Sequence, residues 1–169
     1  MDEYDYSSPG AYFITFCTHD KAHTLSRIVG AIHESPRRKS PWGKSPEPQL
    51  TACGRAVESV LQSIPEHLLV TVDRYIIMPN HIHLIAVITE EQAQRAIRES
   101  PLRCRSLISR LVGYIKMNAS KIIRQQYGNV AVWQRGYHDH IIRNQQDYQM
   151  LAKYLEENPL RWILGQDTH

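Results

Sequence analysis

The chain has 169 residues, 42% of them hydrophobic and 22% charged, which is the composition of one ordinary globular domain with room for a real core. The apolar runs are strand-length, too short to span a bilayer, and the acidic, polar start MDEYDYSSPG is neither a signal nor a transit peptide. Three scattered cysteines, Cys17, Cys53 and Cys104, argue against a disulfide framework or a cysteine zinc site, so a reducing cytoplasm is the expected compartment.

Gly10 to Thr18 alternates aromatic and β-branched residues, as a half-buried strand does. Leu25 to Ala31 is weakly signalled as a second extended piece. Residues 34–48, ESPRRKSPWGKSPEP, hold four prolines and four basic residues without apolar periodicity, and read as a mobile basic insertion in an otherwise single domain over 1–169. Leu50 to Ile64 has helical spacing, with Thr51 as N-cap and Pro65 as the expected stop.

Val70 to Met78 and His81 to Ile88 read as two strands folded back through Pro79-Asn80. The second opens His81-Ile82-His83. A strand has a side-chain period of two, so both imidazoles point to one face while Ile82, Leu84, Ala86 and Ile88 point to the other. Two neutral imidazoles side by side suit a divalent metal, although an isolated H-x-H is more often a pair of ordinary core or surface histidines.

Glu90 to Glu99 reads as a polar helix. Ser106 to Tyr127 reads as a long helix with an apolar stripe at Leu107, Leu111, Tyr114, Ile115, Ile122 and Ile123, and Gly128 as its stop. Residues 101–169 carry 10 Lys and Arg against 5 Asp and Glu, whereas residues 1–100 carry 10 against 12. The sharpest block, Pro101 to Gly128, holds Arg103, Arg105, Arg110, Lys116, Lys121 and Arg124 with no acid, a distribution that favours a polyanionic partner.

Val130 to Gln134 and Tyr137 to Arg143 read as short extended segments around Arg135-Gly136. Asn144 then caps a last helix from Gln145 to about Asn158, with Pro159 as its expected end. The order of elements predicts an α+β layer arrangement with a mainly antiparallel sheet. Tyr154 sits in the last helix, with Asn158 four residues on and on the same helical face. A phenol needs activation to act as a nucleophile at neutral pH. By residue type alone Tyr114, Tyr127, Tyr137 and Tyr148 compete with Tyr154 for any such role.

MPNHIHLI, then GYIKMNASKII, VWQRGYHDHIIRN and DYQMLAKYLEENPLRW, together with the opening YDYSSPGAYFITFCTHD, resemble in order the single-tyrosine HUH transposases, closest to their REP-associated branch. The resemblance spans Tyr4 to Trp162 and implies a ferredoxin-like antiparallel sheet flanked by helices. It implies that His81 and His83 bind Mg²⁺ or Mn²⁺. It also implies that Tyr154 is the nucleophile that nicks single-stranded DNA at hairpin or palindromic sites and joins strands through a 5′-phosphotyrosine. Relatives place a Gln four residues after the tyrosine as third ligand; here that position is Asn158, with Glu157 as a substitute. Arg110, Lys116, Lys121, Arg124, Arg135 and His140 are the expected DNA contacts, with Trp133 and Tyr137 nearby for stacking. The second H-x-H, His138 and His140, is assigned to DNA contact or structure rather than to metal. Both a homodimer and a monomer fit the resemblance. The alternative reading is a module on the same fold that binds structured DNA or RNA without cutting it.

Overall fold

The chain is described here by a computed structural model covering residues 8–30, 45–99 and 106–166. Its centre is strand β1 (Gly10–Cys17), paired antiparallel with β5 (His81–Ile88) on one side and β6 (His138–Ile142) on the other. Strand β4 (Thr71–Ile77) pairs with β5, giving a four-stranded antiparallel sheet in the order β4-β5-β1-β6. With α1 (Ala52–His67) between β1 and β4, and α3 (Leu107–Tyr127) between β5 and β6, this is the expected ferredoxin-like arrangement. Ser26–Val29 (β2) and Glu47–Leu50 (β3) form a separate two-stranded sheet, and α2 (Glu90–Glu99) follows β5.

The period-two pattern sorts the sheet into two faces. Tyr12, Ile14, Phe16, Ile82, Leu84, Ala86 and Ile88 pack against Val57, Val60, Leu61 and Ile64 of α1 and Leu107, Ile108, Leu111, Val112, Ile115 and Ala119 of α3, forming the main core. The opposite face carries Phe13 and Ile85, which pack with Ile142 and with Ala152 and Leu155 of α4 (Gln145–Ile163). Both central strands are therefore covered on both sides, as the apolar run of β5 requires.

The reversal at Pro79-Asn80 is tight: Met78 N–H donates to the His81 carbonyl at 2.9 Å. The predicted caps at Thr51 and Asn144 are made, and Ser106 caps α3 as well. Thr51 Oγ1 accepts from Gly54 N–H at 3.1 Å, Ser106 Oγ from Ser109 N–H at 3.1 Å, and Asn144 Oδ1 from Asp147 N–H at 2.8 Å. Gly128 closes α3 at φ 77°, a backbone conformation that suits glycine.

Four expectations change. Pro65 does not end α1, which runs on to His67; a proline in the last turn forfeits one hydrogen bond, and Leu68 N–H still caps onto the Ile64 carbonyl. Pro159 does not end α4 either. It is buried, and the helix continues to Ile163, because packing on both sides of the proline outweighs the bond it lacks. The expected insertion, 34–48, gives up its last residues: Glu47 and Pro48 belong to β3, paired with Val29 and Ile28. Residues 34–44 lie outside the described residues, as do Arg103, Cys104 and Arg105. Val130 to Gln134 forms no full strand but runs beside the end of β1: Trp133 bridges Thr18, Gln134 N–H donates to the Cys17 carbonyl at 3.0 Å and His19 N–H to the Val132 carbonyl at 2.9 Å, and the next strand begins at His138.

Candidate active site

His81 and His83 lie on β5 on the face away from the main core, 1% and 0% exposed, with ring centroids 4.5 Å apart. Each is oriented through Nδ1. His83 Nδ1 is 2.7 Å from the hydroxyl of Thr15, its cross-strand partner on β1, and His81 Nδ1 is 2.7 Å from Asn80 Oδ1. Since Asn80 Oδ1 can only accept, His81 Nδ1 is the donor of this contact. Nε2 of both rings is closed off from solvent.

Helix α4 covers this pair. Tyr154, Asn158 and Trp162 are spaced four apart and share one helical stripe. Tyr154 packs against His83, ring centroids 5.3 Å apart, and Trp162 lies 5.9 Å from His81. Asn158, between them, therefore faces the two histidines. It is fully buried, and neither its Oδ1 nor its Nδ2 makes a hydrogen bond among the described residues. A buried primary amide with both ends unsatisfied costs about 1–3 kcal/mol, an expense that points to a ligand. Glu157 is 41% exposed and is held between Lys153 (3.6 Å) and Arg161 (3.5 Å). Phe13 completes the site, stacked on His83 at 5.2 Å and edge-on to Tyr154 at 6.1 Å, and the Arg161 guanidinium lies over the Tyr154 ring at 5.3 Å.

Of the competing tyrosines, Tyr148 hydrogen-bonds Asp73, Tyr137 bonds Ser109 Oγ at 2.8 Å, Tyr114 meets Ser63 Oγ at 3.2 Å, and Tyr127 is exposed on α3. Only Tyr154 among these five stands in ring contact with His83 among the described residues.

The basic helix is not brought to this site. Arg110, Lys121 and Arg124 are exposed on α3, whose inner face packs on the opposite side of the sheet from His81 and His83. Arg135 is exposed in the segment before β6. Lys116 is spent on structure: its ammonium donates to the carbonyls of Gln134 (2.8 Å) and Gly136, and sits 5.5 Å from the Phe16 ring centroid. Burial pushes its pKa down. Trp133 is tied to the same helix through Nε1–H to the Lys116 carbonyl at 3.1 Å. His140 does share the face of the site. It pairs with Phe13 across β1 and β6, and its Nε2 lies 3.0 Å from Asp147 Oδ2. His138, opposite Thr15, is exposed on that same face.

Sequence reasoning missed Trp162 and Arg161. Both fall at helical spacing from Tyr154, but only if the helix passes through Pro159. Among the described residues no group of three or more His, Cys, Asp and Glu side chains could hold a metal ion, so any site here would draw on the Asn158 amide.

No family model matches the chain. Over 171 residues it is 29% identical to an uncharacterized protein of Haemophilus influenzae, covering 96% of this chain and 87% of the relative. Over 157 residues it is 24% identical to a second protein of that organism, named as a candidate REP-associated tyrosine transposase, covering 93% and 74%. A solved structure of a REP-associated tyrosine transposase bound to a REP hairpin matches at a TM-score of 0.55 and 18% identity, over 95% of this chain and 74% of that one. The chain resembles the REP-associated tyrosine transposases. The structural likeness is one of fold. No helix among the described residues is long and apolar enough to cross a membrane.

Proposed function

We propose that this protein is a metal-dependent transposase that nicks and rejoins single-stranded DNA at hairpin or palindromic sites, with Tyr154 as nucleophile. The observation that carries the proposal is the convergence of Tyr154 and the unsatisfied Asn158 amide, from one stripe of α4, onto the buried pair His81 and His83. The likeness to a transposase solved with a REP hairpin supports the substrate class.

His81 and His83 would hold Mg²⁺ or Mn²⁺ through Nε2, with Asn158 Oδ1 as third ligand. The fit is good on chemical grounds. Engagement of each Nδ1 within the fold is the usual arrangement of a metal-bound histidine, and the orphaned amide would find its partner. Three protein ligands leave positions open for phosphate oxygens and water, and the metal's chemistry there is to polarise the phosphate and stabilise the leaving oxygen.

The phenolate oxygen of Tyr154 attacks the phosphorus. The Tyr154 Oη–P bond forms, the P–O3′ bond breaks, and the phenol proton passes to solvent while the departing 3′-oxygen takes one up. The products are a 5′-phosphotyrosine and a free 3′-hydroxyl; attack by a 3′-hydroxyl in reverse rejoins the strands with no external energy source. Phe13 and His83 hold the Tyr154 ring edge-on, with the Arg161 guanidinium over its face. In this reading Tyr154 acts with the His pair of its own chain, packing its ring against His83. Arg110, Lys121, Arg124 and Arg135 would hold flanking DNA by its phosphates, and His140 the strand nearer the site.

The test is a covalent-transfer gel. Labelled single-stranded DNA carrying a palindromic hairpin is incubated with Mg²⁺ or Mn²⁺ and wild type, Tyr154→Phe or His81→Ala. A denaturant-resistant protein–DNA band in wild type alone is expected. An adduct that survives Tyr154→Phe would refute the nucleophile, and tight metal-independent binding with no adduct would make the protein a binding module.

A further inference from the structure

Strand β4 is an edge strand with one irregularity. Val72 pairs with Ala86 and Arg74 with Ile85, so Asp73 is an extra residue, a β-bulge. The bulge changes which side chains meet which layer. Ile85 faces α4, so its partner Arg74 does too, as does Ile76; Tyr75 and Ile77 face α1 and the main core. In a regular strand Asp73 and Arg74 would point to opposite faces, and Arg74 would be driven into the core.

Instead both reach α4. Asp73 Oδ2 accepts a short hydrogen bond from the Tyr148 hydroxyl, and Arg74 Nη1 donates to Glu156 Oε1 at 2.9 Å. Arg74 and Tyr148 also interact electrostatically, which couples the Asp73–Tyr148 and Arg74–Glu156 pairs. The Tyr148 phenol is pushed above its ordinary value, first by the Asp73 bond, and stays a donor. Tyr148 and Glu156 are eight residues apart, and Ala152, Tyr154 and Leu155 lie between them.

Apolar contact between Leu155, Ala152 and the sheet holds α4 down but is non-directional. A slip of one residue would turn Tyr154 by about 100° and shift it by about 1.5 Å. We propose that the β4 bulge is a register clamp for the tyrosine helix, with Asp73 and Arg74 as positioning residues that set where Tyr154 stands relative to His83. This rests on the proposed role of Tyr154. Exposed ion pairs add little to stability, so the clamp acts on position rather than on folding. Misplacing a nucleophile by about 1 Å can cost on the order of 100-fold in rate.

The experiment compares wild type with Arg74→Ala, Tyr148→Phe, the double variant and Arg74→Lys. It measures the rate of adduct formation at saturating hairpin DNA, hairpin Kd, Tm, and amide exchange across residues 149–157. The double variant is expected to form adduct at least ~10-fold more slowly, with Kd within about twofold, Tm little changed and faster exchange in α4 but not in α1 or α3. Arg74→Lys, which keeps the charge facing Glu156, is expected to recover part of the rate. Unchanged rate and exchange would overturn the clamp, as would losses that follow a fall in Tm across all helices. If wild type formed no adduct, the function proposed above would fail, and α4 exchange would still decide the clamp.

Discussion

Tyr154 and His83, seventy-one positions apart in the chain, meet with ring centroids 5.3 Å apart and planes inclined at 68°. The contact joins the one helix that follows the last strand to the centre of the sheet. Four consequences can be measured.

Asn158 carries a cost in the metal-free protein that metal would relieve. Asn158→Ala is expected to stay within about 1 kcal/mol of wild-type stability in chelator, because removing an unsatisfied buried amide offsets the cavity it leaves. In Mn²⁺ the wild type should gain in Tm and the variant should not. Thermal melts with and without metal check both halves; a loss of about 3 kcal/mol in chelator would show that Asn158 is a satisfied structural residue.

Thr15 orients His83. Thr15→Val keeps the shape and the strand preference but removes the hydroxyl 2.7 Å from Nδ1. Loss of such an outer partner typically weakens metal affinity about 10–100-fold. Titration of Mn²⁺ by calorimetry should show that drop with little change in secondary structure.

The basic residues should separate into two kinds. Arg110→Ala, Lys121→Ala, Arg124→Ala and Arg135→Ala each remove an exposed charge, so each that contacts a phosphate should lower the salt slope of hairpin binding by about 0.7–0.9. Lys116→Ala leaves two carbonyls without their donor and is expected to cost about 1–3 kcal/mol of stability. Binding measured over a salt series, beside denaturant melts, distinguishes them.

Acid should loosen the start of α4. The Asp147 carboxyl is held below the usual carboxylate range, first by its hydrogen bond to His140, with burial opposing and the Arg143 N–H adding to the lowering. A depressed carboxyl contributes stability that is complete above its unfolded value, about 3.9, and is lost as pH falls through its folded value. The Tm difference between wild type and Asp147→Asn should therefore hold at pH 5 and shrink as pH is lowered below about 4. A difference that grows on acidification would contradict the assignment.

Local rules were sufficient for much of the molecule. The alternation in β1 and β5, the reversal at Pro79-Asn80, the caps at Thr51 and Asn144 and the stop at Gly128 depend on a few neighbouring residues, so they were legible in the chain. So was the placement of His81 and His83 on one face, because strand period is geometric. Tertiary structure alone decided the rest. It carried α4 through Pro159, which brings Trp162 to His81 and Arg161 to Tyr154. Of the five tyrosines it brought Tyr154 into ring contact with His83, turned Lys116 inward, and put the basic face of α3 behind the sheet. It inserted the bulge at Asp73. These depend on which surfaces of separate elements meet, where burial of apolar area outweighs a lost helical hydrogen bond or an unfavourable propensity. The sequence by itself determined the elements and the chemistry of their faces; packing determined which faces meet.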